Sequence, residues 1–90
     1  MNWIDDLKKE YGDYSEQLKT ERDEIKVKLH LLSMDIQDEW HELEKKYEHF
    51  TQKVDRIEEA AGESAEEVGS ALKLVVEELQ SGYQRIKSRI

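Results

Sequence analysis

Ile25-Lys26-Val27-Lys28-Leu29-His30-Leu31-Leu32-Ser33-Met34-Asp35-Ile36 stands in the middle of a long apolar row, and the architecture depends on whether this stretch is helix or turn. The row is Ile4, Leu7, Tyr11, Tyr14, Leu18, Ile25, Leu29, Leu32, Ile36, Trp40, Leu43, Tyr47, Phe50, Val54, Ile57 and Ala61, with Arg22 as its one polar member. Steps of three and four are the α-helical period, not the strand period of two. They pass through Leu29, Leu32 and Ile36 without a shift, and no Gly or Pro lies between Gly12 and Gly62. The spacing therefore predicts one helix over residues 3–61, on the order of 85 Å long at ~1.5 Å per residue.

Punctuation falls at the far end of that row. Gly62 can close a helix, and Ser64 with Glu67 has the capping-box spacing that opens the next one. A tight turn at 62–63 then leads to a second helix over residues 64–89, with Val68, Leu72, Val75, Leu79, Tyr83, Ile86 and Ile90 on one face. Asn2 is the expected N-cap of the first helix, and Asp5 and Asp6 sit where the helix dipole favours negative charge. The expected fold is all-α: a single αα-hairpin domain over residues 1–90, coiled-coil-like, with a long and a shorter antiparallel helix.

The shorter helix covers only its own length of the longer one, roughly Ile36 to Ala61. The seam from Ile4 to Leu32 is left open, and a second stripe of Val27, Leu31 and Met34 makes residues 25–36 apolar around much of the helix. An antiparallel homodimer centred near Leu32 answers both features. Its expected interface is Tyr11, Tyr14, Leu18, Ile25, Val27, Leu29, Leu31, Leu32, Met34 and Ile36. The rival fold breaks the first helix near His30 to Ser33, with Ser33 as N-cap of a new helix, and gives a monomeric up-down-up three-helix bundle.

Composition narrows the function classes. Charged residues make up 40% of the chain and the formal net charge is -8, which argues against a nucleic-acid binder, because phosphate binding rests on Lys and Arg. By segment the charge is -2 over residues 1–32, -5 over 33–61 and -1 over 62–90, so acid concentrates in the middle, interspersed with Lys45, Lys46, Lys53 and Arg56 as on a solvated face. No cysteine is present to form a disulfide or a thiolate metal site. The start, Met1-Asn2-Trp3-Ile4-Asp5-Asp6, is acidic where a secretory signal is basic, and no window has the uncharged apolar length of a membrane span, so a cytoplasmic protein without membrane contact is expected.

Candidate chemistry is sparse. Asp38 and His41 have the i, i+3 spacing of helical metal sites, with Glu44 and Glu48 along the same side, but such sites need paired motifs from several helices. The better reading is a solvated face. His30 and His49 have no partner spacing, and the serines Ser15, Ser33, Ser64, Ser70, Ser81 and Ser88 lack a recognisable base. Tyr11, Tyr14, Trp40, Tyr47, Phe50 and Tyr83 lie on the helical seams, where packing explains them. Gly12, Gly69 and Gly82 cost helix stability, and each either admits a neighbouring helix or, at Gly82, lets the last turns fray. No enzyme, cofactor or metal is expected.

The long charged helix ending in Ala60-Ala61-Gly62-Glu63-Ser64-Ala65-Glu66-Glu67, followed by a helix closing in Tyr83-Gln84-Arg85-Ile86-Lys87-Ser88, resembles the small bacterial coiled-coil hairpin proteins labelled stress-associated or uncharacterised. The resemblance implies a cytoplasmic, non-enzymatic, stress-linked structural or protein-interaction protein. The alternative is an adaptor or chaperone-like module that accepts a helix of another protein in its apolar seam.

Overall fold

The computed structural model describes residues 2–60 and 62–90; Ala61, counted above as the last member of the apolar row, lies outside them, as does Met1. Three helices pack against one another: α1 (Trp3–Lys26), α2 (Met34–Asp55) and α3 (Ala65–Lys87). The described residues contain no strand. The all-α class and the helical bundle stand, in the three-helix form. The single helix over residues 3–61 does not, because the chain leaves α-helix after Lys26 and turns back.

The reversal needs neither Gly nor Pro. Lys28 N–H donates to the Ile25 carbonyl at 2.9 Å, Leu31 to Lys28 at 3.0 Å and Leu32 to Leu29 at 3.1 Å, so the chain tightens into a 3-10 turn at Leu29–Leu31. Leu32 and Ser33 are then extended, at φ -94°, ψ 154° and φ -65°, ψ 162°. Ser33 Oγ accepts from the Ile36 N–H at 3.4 Å, and Gln37 Nε2 donates to the Leu32 carbonyl at 2.9 Å, which satisfies polar groups that the interrupted helix leaves free. The apolar spacing runs across this turn unchanged because Leu29 packs on the core and Leu32 is buried, plugging the end of the bundle.

The α2–α3 connection also differs from the expected tight turn. The second helix stops at Asp55, a second 3-10 turn (Ile57–Ala60) follows, and no glycine of positive φ occurs among the described residues. Helix starts match their sequence signals: Asn2 Oδ1 accepts from Ile4 N–H at 3.2 Å, and Ser64 Oγ from Glu67 N–H at 3.1 Å.

Both seams close on one core. Ile4, Tyr11, Leu18 and Ile25 from α1 meet Trp40, Leu43, Phe50 and Val54 from α2 and Leu72, Val76, Leu79, Tyr83 and Ile86 from α3, with Leu32 and Ile57 at the connections. On α3 the inward row includes Val76, which the expected face omitted, while Ile90, which it included, is exposed. Gly82 marks the tightest approach: a Cβ there would stand 2.5 and 2.8 Å from the two methyl carbons of Leu43. Close approach, not fraying, is the role of this glycine, which is buried inside α3. The bundle measures 46 × 18 × 17 Å.

Candidate functional site

The ten residues expected to pair two copies divide sharply. Tyr11, Leu18, Ile25 and Leu32 are buried in their own chain, and Tyr14, Leu29 and Ile36 pack on the same core. The open seam from Ile4 to Leu32 is thus corrected: α3 runs parallel to α1 and covers it, as the Tyr11 hydroxyl donating to the Gly69 carbonyl at 3.1 Å near the two starts and Lys87 reaching Glu24 at 3.0 Å near the two ends show. Val27, Leu31 and Met34 instead face solvent, at 70%, 70% and 71% exposure.

The polar member of the apolar row, Arg22, is held inside the bundle edge. Its Nε and Nη2 donate to Glu44 Oε1 and Oε2 at 2.5 and 2.8 Å, the bidentate fork geometry that fixes α1 against α2. The guanidinium carbon also stands 5.1 Å from the centre of the Tyr47 ring. Hydrogen bonding to the Glu44 carboxylate holds the guanidinium pKa above its ordinary value. Glu44, read above beside Asp38 and His41, is therefore an ion-pair partner. Asp38 and His41 are exposed, and no group of three metal-ligating side chains comes together among the described residues.

Tyr83 is fully buried beside Trp40, with ring centres 6.2 Å apart. Its hydroxyl has no hydrogen-bond partner among the described residues, and burial pushes its pKa far up. At the opposite end of the bundle a groove of about 410 Å³ runs between the end of α2 and the start of α3. Its apolar lining includes Ile57, Val68 and Leu72, and its charged lining sets Lys53 and Arg56 among Glu59, Glu63 and Glu67, so both signs of charge are present.

The surface that stands apart is the α1–α2 turn. Five large apolar residues are exposed among those described, and four of them (Val27, Leu31, Met34 and Ile90) lie at this end. Ile90 belongs there because Lys87, near the end of α3, reaches Glu24 of α1 at 3.0 Å. Lys26, Lys28, His30 and Arg89 are exposed between the apolar side chains. Sequence reasoning singled out Val27, Leu31 and Met34 as a second stripe; it missed Ile90, which the 3.6-residue period places on the core face. No helix is long and apolar enough to cross a membrane among the described residues. No family model, curated protein or solved structure matches the chain.

Proposed function

We propose that the protein is a non-enzymatic protein-interaction module whose contact surface is the α1–α2 end of the bundle. The observation that carries this reading is the gathering of exposed Val27, Leu31, Met34 and Ile90 at one end of a molecule whose other large apolar residues among those described, Leu74 apart, pack on a core. Apolar side chains gathered on a surface mark interaction sites more often than they serve the fold. The reading replaces both the homodimer about Leu32 and the adaptor groove along α1, since both needed the seam that α3 fills. It keeps the cytoplasmic, stress-linked role that the hairpin-protein resemblance suggests as a setting.

A photo-crosslinking residue placed at Leu31, and separately at Lys45 on the solvated face of α2, tests it in cells that make the protein. Adducts with another polypeptide at Leu31, absent at Lys45 and lost when Met34→Asp is added, are the expected result. An adduct of twice the chain mass at Leu31 would make the partner a second copy. Equal labelling from both positions, or none from Leu31, would overturn the reading.

A further inference from the structure

We propose that the α1–α2 end binds an acidic amphipathic segment of another protein, one that sets an apolar face on Val27, Leu31 and Met34 and carboxylates on the surrounding bases. The inference rests on the interaction-module reading above and names the partner's chemistry.

Charge at this end is the second observation. The molecule as a whole carries -8, yet Lys26, Lys28 and Arg89 surround the exposed apolar residues, and among the described residues none of the three makes an ion pair. Other bases nearby are occupied: Arg85 pairs with Glu39 at 2.8 Å, and Lys87 with Glu24 at 3.0 Å. Free cations between solvent-facing aliphatic groups fit a ligand that offers both a hydrophobic face and negative charge.

Two other occupants fit less well. A second copy docked end to end would set Lys26, Lys28 and Arg89 against bases of the same kind, with only Asp35 and Asp38, among the described residues at this end, as unpaired carboxylates to meet three unpaired bases. A flat anionic bilayer would also meet the bases, but a plane of negative charge laid over this end would face the exposed carboxylates Asp35 and Asp38 in the first turns of α2 as well. A discrete helical segment can set its carboxylates against Lys26, Lys28 and Arg89 alone, a selection that a plane of charge cannot make.

Two fluorescent peptides test the proposal by anisotropy: one with leucines at helical spacing and glutamates on the flanks, and a sibling with lysine at every glutamate. The glutamate peptide should bind about tenfold or more tightly than the lysine peptide, and less tightly as salt rises. Leu31→Asp, an exposed substitution that leaves the core intact, should weaken binding about tenfold or more, and Lys26→Glu with Lys28→Glu should reverse the peptide preference, while Leu74→Asp on α3 changes neither. Equal binding of both peptides, lost with Leu31→Asp, would overturn the acidic partner yet leave the interaction surface standing. Binding of neither peptide, or co-sedimentation with phosphatidylserine-containing vesicles in place of peptide binding, would overturn the inference, and crosslinking from Leu31 then decides separately whether the surface has any protein partner.

Discussion

The Tyr83 hydroxyl is the polar atom that its surroundings serve least well. Buried without a hydrogen-bond partner, it forgoes its bonds to water and gains none from the protein, a loss of roughly 1–3 kcal/mol for such a group. Tyr83→Phe keeps the ring against Trp40 and removes that loss, so thermal unfolding should show the variant as stable as the parent or up to about 1 kcal/mol more stable. The same burial ties stability to alkaline pH. The folded pKa of Tyr83 is raised above the ordinary 10.0, so folding holds the phenol neutral: its ionisation takes nothing from stability below pH 10, and stability falls as pH rises from there toward the folded pKa. Denaturant titrations across this range should show the parent losing stability faster than Tyr83→Phe. Equal slopes for the two would place the alkaline sensitivity elsewhere, Tyr11 being the other tyrosine whose pKa burial raises.

Among the elements, α2 and α3 are set by their closest contact. At Gly82 an added methyl meets Leu43 at 2.5 Å, and overpacking of this kind costs about 1–3 kcal/mol, more than the ~1 kcal/mol that alanine gains in helix propensity. Gly12 has nothing within 4 Å of the same added carbon. Calorimetry should therefore find Gly82→Ala destabilised by about 1 kcal/mol and Gly12→Ala stabilised by about 0.5–1 kcal/mol. Helix starts were legible in the sequence, because Asn2 and Ser64 announce themselves through side chains that bond the next turn. The break after Lys26 was not. Its turn contains no Gly, Pro or positive φ, and Leu29 and Leu32 keep apolar phase while the backbone reverses, so periodicity looks the same for a straight helix and a folded one. Ser33 carried the local signal, and Gln37, which caps the Leu32 carbonyl, was a residue whose role only the folded turn reveals.

At the scale of the whole molecule, the apolar row from Ile4 to Ile57 lies on the core as its period implied, but its covering element was read incorrectly. With α1 and α2 folded back on each other, a third helix of 23 residues spans the full bundle, and the seam from Ile4 to Leu32 finds its cover within the chain. What remains outside among the described residues, Leu74 on α3 apart, is the short set of apolar residues at the α1–α2 end, visible in the sequence as a stripe but not as an end. Ion pairs such as Lys8–Glu58 and Lys46–Glu78 join neighbouring elements along the outside, and because they are exposed to screening solvent they add little to the fold. The core, closed by one chain, is the central claim. Small-angle X-ray scattering tests it most directly, since it gives mass and shape together. The closed bundle predicts the 10.7 kDa mass of one chain and a radius of gyration close to 14.5 Å. A particle of twice that mass, extended to the order of 85 Å as an unbroken helix over residues 3–61 requires, would contradict it.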